Sequence, residues 1–282
     1  MIEVSTPAAK ARRLAKAGLL VTLILVGPAK AASSEWLDTP GGAVRLVASQ
    51  PRRDGSIPAI LEVRLAPGWK TYWRDPGASG IPPQVTLDPD AGVKLEAIRF
   101  PAPRSFGEGP AGYAGYDAPV TFPLLLKRMN DEADVTIRAS VFLGVCEDIC
   151  IPVQGELELT LKGGEFDNPL DAARIERAIQ ALPETPSNDF RVSQAAFDAA
   201  AGLIRIDLQL PESAAGAEPE LFLAGPRGIF FGKPIVGGAS GTTRRVDVPV
   251  KRVGKDLQTG AEPIALTVRV GDRTMETTLA FD

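Results

Sequence analysis

Short strand-like segments separated by turn residues run along almost the whole chain and limit the folds that it can adopt. In the first half, segments rich in Val, Leu, Ile and Thr span residues 43–50, 57–66, 93–100, 120–127, 134–143 and 153–162. Turn clusters such as Pro-Arg-Arg-Asp-Gly at 51–55 separate them, and 25 prolines and 28 glycines are spread along the chain. This spacing is typical of an antiparallel β-sandwich and not of repeated βαβ units.

Residues 166–189 interrupt this rhythm with one predicted helix. Asn168 can cap it, Pro169 suits its first position, and Pro183 and Pro186 end it. Apolar residues between them keep roughly helical spacing: Leu170, Ala173, Ile175, Ala178, Ile179 and Leu182. Strand-like segments resume at 203–210, 220–223, 244–250, 264–270 and 274–281. We therefore predict an all-β protein with one sandwich over residues 32–165, a helical linker over 166–189 and a second, smaller sandwich over 190–282.

The first 31 residues have the layout of a secretory signal peptide. Basic residues between Lys10 and Lys16 precede an apolar run at 17–26, and Ala29-Lys30-Ala31 follows. This order predicts cleavage after Ala31. The apolar run is shorter than the roughly 20 residues that a spanning helix needs, and an uncleaved N-terminal anchor is the alternative. We expect an exported protein in a compartment where disulfides persist.

Cys146 and Cys150 are the only cysteines in the 282 residues, and the chain contains no histidine. A Ser-His-Asp triad would lack its base, and a net charge of −4 argues against nucleic-acid binding, which needs a basic surface. Thiol–disulfide exchange is the reaction for which these residues are best equipped. A structural disulfide is the alternative, although closing a five-residue loop would contribute only about 2 kcal/mol through chain entropy. The spacing alone leaves both interpretations open.

Metal binding is a further alternative for the two thiols. Without histidine they supply at most half of a tetrahedral zinc site, whereas a Cu(I) site of two thiolates stays open. Glu147 and Asp148 lie between the cysteines, and nearby negative charge disfavours a thiolate. We expect such a pair to react mainly when a partner protein supplies a complementary environment. The alternative is that both carboxylates simply face water.

Three segments carry recognisable motifs: 139–152 with the cysteine pair, 65–75 with Leu-Ala-Pro-Gly-Trp-Lys-Thr-Tyr-Trp-Arg-Asp, and 113–123 with Tyr-Ala-Gly-Tyr-Asp-Ala-Pro-Val-Thr-Phe-Pro. In this arrangement they resemble the N-terminal periplasmic domain of the bacterial thiol:disulfide interchange protein DsbD. The likeness is greater to the N-terminal region of ScsB, its copper-sensitivity relative. The resemblance implies immunoglobulin-like sandwiches and a periplasmic location. The Cys-x3-Cys spacing is shorter than that of the best-known DsbD domain.

The resemblance also implies roles for individual residues. The cysteine pair would cycle between dithiol and disulfide, with Cys150 forming the mixed disulfide and Cys146 resolving it. A cap loop within 106–116 would shield the pair, and Phe106 and Tyr113 both qualify as its aromatic residue. The implied surround of the pair comprises Tyr72, Phe106, Tyr113, Tyr116, Glu147 and Asp148. Ordinary core packing is the alternative for these aromatic residues, and it is the favoured one for Trp73.

The implied partners are proteins. Electrons would come from a membrane-embedded DsbD/CcdA-like transporter and pass to periplasmic thioredoxin-like oxidoreductases or other oxidised proteins. Because we find no membrane helix and no thioredoxin-like domain in the 282 residues, we expect that transporter to be a separate protein. We predict no cofactor, no resident metal and no nucleic acid. Two alternatives stay open: a non-catalytic sandwich adaptor with a structural disulfide, and a copper-handling periplasmic protein.

Overall fold

The computed structural model describes residues 1–2, 32–77, 80–107, 112–214, 216–226, 228–252 and 263–281. Apart from its first two residues, the predicted signal peptide lies outside these ranges, and so does the predicted cleavage site. Within the described ranges, no helix has both the length and the apolar character needed to cross a bilayer.

The first sandwich consists of two packed antiparallel sheets. Its strands are β1 (Leu37–Thr39), β2 (Gly42–Ala48), β3 (Ser56–Leu65), β4 (Lys70–Tyr72), β5 (Gln84–Leu87), β6 (Val93–Ile98), β7 (Arg104–Phe106), β8 (Tyr113–Tyr116), β9 (Val120–Arg128), β10 (Val135–Cys146) and β11 (Cys150–Leu161). The first sheet has the order β1-β2-β3-β9-β6. The second has the order β11-β10-β4-β8-β7, and β5 also pairs with β10.

Strand alternation explains how the sandwich forms its core. In β10, the alternate residues Val135, Ile137, Ala139, Val141 and Leu143 are buried, whereas the residues between them are partly or fully exposed. These side chains meet those of the first sheet, and fully buried aromatic residues such as Phe122 fill the space between the sheets. The outer face of the second sheet is therefore free to carry a different set of side chains.

The predicted helix is confirmed as α1 (Pro169–Gln180). Asn168 Oδ1 accepts a hydrogen bond of 2.9 Å from the backbone N–H of Leu170, so the predicted N-cap is made. Proline stands at the first turn, where its missing N–H removes no intrahelical bond.

Helix α1 packs on the outer face of the first sheet. Ile175 and Ala178 form a small apolar cluster with Val47 of β2 and Ile60 of β3. Other residues of the predicted apolar stripe stay in contact with solvent, since Leu170 is 69% exposed. The helix is thus attached to the first sandwich through one narrow side.

The second sandwich also has two sheets. Its strands are β12 (Arg191–Asp198), β13 (Leu203–Gln209), β14 (Glu220–Ala224), β15 (Ile229–Phe231), β16 (Ile235–Ser240), β17 (Thr243–Arg252), β18 (Ile264–Val270) and β19 (Arg273–Leu279). One sheet has the order β12-β13-β17-β15 with β16 paired to β17, and the other has the order β14-β18-β19. The prediction of an all-β fold with two immunoglobulin-like sandwiches and a helix-containing linker is confirmed.

The exit of the linker is fixed to the second sandwich. Glu184 forms a parallel bridge with Met275 of β19, with backbone hydrogen bonds of 2.8 and 3.0 Å on its two sides. Arg273 binds the carboxylates of Glu184 and Asp189 at 2.8 and 2.6 Å. The linker is therefore attached at both ends, through α1 to one sandwich and through Glu184 to the other.

Candidate active site

The two cysteines close the hairpin between β10 and β11. Cys146 ends β10, Cys150 begins β11, and the two form the last register pair of the ladder. They are joined in a disulfide with their Cα atoms 4.2 Å apart. The intervening Glu147, Asp148 and Ile149 make the turn. Because the ladder already pairs the two strands over their whole length, the disulfide connects segments that are held together without it.

The two cysteines differ in exposure. Cys146 is 5% exposed, whereas Cys150 lies open to solvent. Glu147 and Asp148 also face solvent, and Ile149 is 76% exposed beside Cys150. Access is one of the factors that decide which sulfur of a disulfide a thiolate attacks. This geometry offers Cys150 to an incoming thiolate and shields Cys146.

The hydroxyl of Tyr72 lies against both sulfurs. Its oxygen is 2.9 Å from Cys146 Sγ and 2.8 Å from Cys150 Sγ. A disulfide carries no hydrogen, so the phenol donates and the sulfurs accept. Tyr72 is 3% exposed, and its burial raises the pKa of the phenol above the ordinary value of 10.0. The hydroxyl therefore keeps its proton at neutral pH and remains a donor.

Two glycines make room for the ring of Tyr72. A methyl group on Gly144 of β10 would lie 2.9 Å from Tyr72 Cε2, and one on Gly80 would lie 2.8 Å from Tyr72 Cδ1. Both distances are shorter than carbon atoms tolerate without a shift. Next to Tyr72, the buried Thr71 donates a hydrogen bond of 2.8 Å from Oγ1 to the carbonyl of Gly144. The ring is thus held close to the backbone of the strand that ends in Cys146.

An aromatic wall continues outward from Tyr72. Tyr113 meets the Tyr72 ring edge-on with centroids 5.2 Å apart, and Phe106 stacks on Tyr113 at 5.4 Å. Lys70 Nζ lies 5.9 Å from the centroid of the Phe106 ring. Burial raises the pKa of Tyr113, and the nearby Tyr72 and Asp117 add to this effect. We call Tyr72, Tyr113 and Phe106 the aromatic wall.

Sheet register places these side chains on one face. Side chains of directly paired residues point to the same side of a sheet, and they alternate along each strand. The relevant pairs are Lys70 with Cys146, Tyr72 with Gly115, and Phe106 with Tyr113. All of them lie on the outer face of the second sheet. The aromatic wall and the disulfide are therefore neighbours although they come from five different strands.

This arrangement coincides with a family match in the sequence. Residues 43–162 match the family described as thiol:disulfide interchange protein DsbD, N-terminal. Residues 43–162 belong to the DsbD N-terminal family. The membership makes the first sandwich a thiol–disulfide interchange domain, and the Cys146–Cys150 disulfide is the group in it that can undergo such exchange.

The similarity to a solved structure extends beyond the DsbD N-terminal domain. The chain is similar to the N-terminal periplasmic domain of ScsB from Proteus mirabilis, with 26% identity and a TM-score of 0.71. That match covers 89% of this chain and 100% of the other. It therefore includes the linker and much of the second sandwich.

Two further solved structures are similar only at a low level. A conserved domain protein from Bacillus anthracis has 9% identity and a TM-score of 0.24, over 84% of this chain and 76% of that one. The MSCRAMM ACE of Enterococcus faecalis has 8% identity and a TM-score of 0.17, over 89% and 97%. At these TM-scores, neither structure indicates a fold or a function for this chain. No curated protein matches it.

Tyr116 and Trp73 lie away from the disulfide of the DsbD N-terminal domain. Tyr116 is 9% exposed, packs edge-on against Phe122 at 5.6 Å, and donates a hydrogen bond of 2.7 Å to the carbonyl of Pro101. This burial raises the pKa of Tyr116 well above its ordinary value. The structure thus places Tyr116 in the core and not in the surround that the sequence predicted for it. Trp73, 1% exposed, also lies in the core.

Sequence reasoning missed several residues of the site. Gly80 and Gly144 seat the tyrosine ring, Lys70 pairs with Cys146, and Ile149 forms an exposed apolar tip beside Cys150. A single glycine within a strand pattern signals a close approach of another group, so Gly144 could have been noticed. Within the described ranges, no group of three or more Cys, Asp or Glu side chains is arranged to hold a metal ion.

Proposed function

We propose that this chain is a periplasmic thiol–disulfide exchange module that passes electrons from a membrane-embedded DsbD/CcdA-like transporter to oxidised periplasmic proteins. The observation that carries the proposal is the pairing of an exposed Cys150 with a buried Cys146 under the hydroxyl of Tyr72. Similarity to a periplasmic ScsB domain and the predicted signal peptide support the location.

In the reductive half-reaction, a thiolate of the donor attacks Cys150 Sγ. A bond forms between the donor sulfur and Cys150, the Cys146–Cys150 bond breaks, and Cys146 leaves as a thiolate that takes a proton from water. A second thiolate of the donor then attacks the donor sulfur of this mixed disulfide and releases Cys150. The donor ends as a disulfide and the pair as a dithiol, so that two electrons have moved.

In the oxidative half-reaction, the Cys150 thiolate attacks the disulfide of an oxidised protein. One sulfur of that protein leaves as a thiolate and is protonated, while its other sulfur stays bound to Cys150. The Cys146 thiolate then attacks Cys150 Sγ, restores the internal disulfide and releases the second sulfur of the now reduced protein. Thioredoxin-like oxidoreductases of the periplasm are the proposed acceptors.

Tyr72 stabilises the sulfur that carries negative charge in each step. Its oxygen is within 2.9 Å of both sulfurs, so the same donor can serve a departing Cys146 or an attacking Cys150. A hydrogen bond to an ionised group contributes about 1.5–3 kcal/mol, more than one to a neutral group. The phenol therefore favours the thiolate over the disulfide.

Phe106 and Tyr113 are the proposed cap. Both are partly buried and lie in contact with each other, and Tyr113 touches Tyr72. Through Tyr113 they adjoin Tyr72, whose hydroxyl contacts both sulfurs. The exposed Glu147, Asp148 and Ile149 form the turn next to Cys150, where a partner that reaches Cys150 would make its first contact.

Trapping of a mixed disulfide tests the proposal. Cys146→Ser leaves Cys150 exposed and removes the thiol that resolves the intermediate, so a covalent complex with an oxidised periplasmic thioredoxin-like protein should accumulate on non-reducing gels. Cys150→Ser is the matched control and should trap much less, because the remaining Cys146 is buried. Failure of Cys146→Ser to trap any of several such oxidoreductases would contradict the proposal.

A further inference from the structure

The second sandwich inserts a side chain into the core of the first. Phe222 of β14 is 5% exposed and belongs to the hydrophobic cluster of the first sandwich. Its ring meets Trp73 edge-on, with the centroids 6.1 Å apart. Trp73 directly follows Tyr72 in the chain. The apolar contact between the sandwiches is thus made one residue away from the hydroxyl that touches the disulfide.

A polar contact strengthens the same place. The guanidinium of Arg74 forms an ion pair with Glu276 of β19, and it also lies 4.8 Å from the ring of Trp73. Glu276 accepts a further hydrogen bond of 2.8 Å from the hydroxyl of Thr267, which is fully buried in β18. Glu276 is therefore held by its own sandwich while it binds the residue two positions after Tyr72.

Asp75, the next residue, accepts hydrogen bonds from both sandwiches. The carboxylate of Asp75 accepts hydrogen bonds from the backbone N–H groups of Gly77 and Gly225. Gly225 directly follows β14 in the second sandwich. Burial raises the pKa of Asp75, against the lowering effect of these two donors. Trp73, Arg74 and Asp75 thus form three consecutive contacts with the second sandwich. We call them the anchor segment.

A second anchor lies before the strand that carries Phe106. Arg269 of β18 donates hydrogen bonds of 2.7 and 3.0 Å to the carbonyls of Ala102 and Pro103. Pro103 immediately precedes β7, which ends at Phe106. The second sandwich therefore contacts the chain directly after Tyr72 and again shortly before Phe106.

We propose that the second sandwich is a positioning element of the redox site, which holds the aromatic wall in place and keeps the hydroxyl of Tyr72 against the sulfurs. Side chains alternate across a strand, so Tyr72 faces the disulfide while Trp73 faces the core and Phe222. A displacement of the anchor segment must move Tyr72, because the two are covalently consecutive. Glu276 and Arg269 are positioning residues in this scheme, and they touch neither sulfur.

The proposal rests on the exchange chemistry of the proposed function but not on its partners. It predicts that weakening the interface slows reduction of the disulfide, because the leaving thiolate loses part of its hydrogen bond. A small reductant such as dithiothreitol reports this effect without any partner protein. If weakening the interface slows reduction by dithiothreitol but no partner protein can be trapped, the positioning role of the second sandwich is supported and the proposed electron relay is contradicted.

Glu276→Gln tests the proposal against a matched control. It removes the charge that binds Arg74 and keeps the size of the side chain. Asp207→Asn removes a comparable ion pair with Arg245 inside the second sandwich, between β13 and β17. The rate constant for reduction by dithiothreitol should fall about threefold or more in Glu276→Gln, in line with couplings carried through packed networks, and stay unchanged in Asp207→Asn.

A double-mutant cycle separates positioning from a general loss of stability. If Glu276 acts through Tyr72, adding Glu276→Gln to Tyr72→Phe leaves the rate of the single Tyr72→Phe variant unchanged. The proposal is overturned if the two effects multiply, if Glu276→Gln matches Asp207→Asn, or if its rate equals or exceeds that of the wild type. Thermal unfolding of all four proteins confirms that each is folded at the assay temperature.

Discussion

The phenolic oxygen of Tyr72 lies 2.8 Å from Cys150 Sγ, although 78 residues separate the two in the sequence. The contact exists because β4 pairs with the end of β10, where the register sets Lys70 opposite Cys146. Tyr72 then lies two residues further along the same face. A neutral, buried donor next to a disulfide has a chemical consequence only if the sulfurs become charged, and that consequence can be measured.

Replacing Tyr72 with Phe removes this donor and keeps the ring. We expect the rate constant for reduction by dithiothreitol to fall about tenfold or more, because a hydrogen bond to a charged group is worth about 1.5–3 kcal/mol. Stopped-flow kinetics would measure it. Tyr116→Phe is the control, since its hydroxyl binds the carbonyl of Pro101 in the core. Equal rates in both variants would show that Tyr72 has no chemical role.

In the reduced protein, the pH dependence of Cys150 alkylation should depend on the hydroxyl of Tyr72. The raised pKa of Tyr72 keeps the phenol protonated throughout the range in which thiols titrate. A donor to the charged form lowers the pKa of a thiol, so Tyr72→Phe should raise the apparent pKa of Cys150 and reduce its thiolate fraction at neutral pH. The rate of alkylation by iodoacetamide against pH would measure both proteins. A pKa that stays the same or falls in the variant would contradict the prediction.

Gly144→Ala should displace the ring of Tyr72. A methyl group there lies within 2.9 Å of both Tyr72 and Ile81, so one of them must move. We expect a loss of about 1–3 kcal/mol in the free energy of unfolding, as in other overpacked sites, together with slower reduction by dithiothreitol. Gly216→Ala is the control, because no atom lies within 4 Å of the added methyl group. If the Gly144→Ala protein is destabilised but is reduced as fast as the wild type, the position of the Tyr72 ring does not affect reduction, and the prediction is contradicted.

Reduction of the disulfide should cost little stability. The bridge closes a ring of five residues at the end of a hairpin that is paired along its length, so loop-closure entropy contributes only about 2 kcal/mol. Urea unfolding with and without dithiothreitol would measure the difference, and the Cys146→Ser, Cys150→Ser double variant would serve as a permanently open control. A loss well above this value would favour the structural disulfide considered from the sequence.

In the first sandwich, the strands of six or more residues could be predicted from the sequence, and the strands of three or four residues could not. The alternation along β10 extends over enough residues to be recognised, whereas β4 has three residues and β8 four. Those short strands carry Tyr72 and Tyr113, so the site itself had to come from the resemblance to DsbD. Tyr113 and Tyr116 are an odd number of positions apart, and strand alternation alone would have put them on opposite faces.

The contact between the sandwiches had no sequence signal. In the sequence, Trp73 looks like an ordinary core residue of the first sandwich. The residues around Phe222 in the sequence do not indicate that its side chain enters the core of the first sandwich. An ion pair between Arg74 and Glu276 spans 202 positions, so no local pattern can predict it. Such contacts depend on the shapes of two folded surfaces, which the sequence specifies only through the complete fold.

The equilibrium of the Cys146–Cys150 pair with glutathione tests the central claim most directly. An exchange module must be oxidised and reduced by its partners, so the account predicts a reduction potential above about −300 mV. Mass spectrometry of alkylated protein across a series of glutathione ratios would give this value. A potential far below about −300 mV would mark the disulfide as an inert structural bridge and contradict the account.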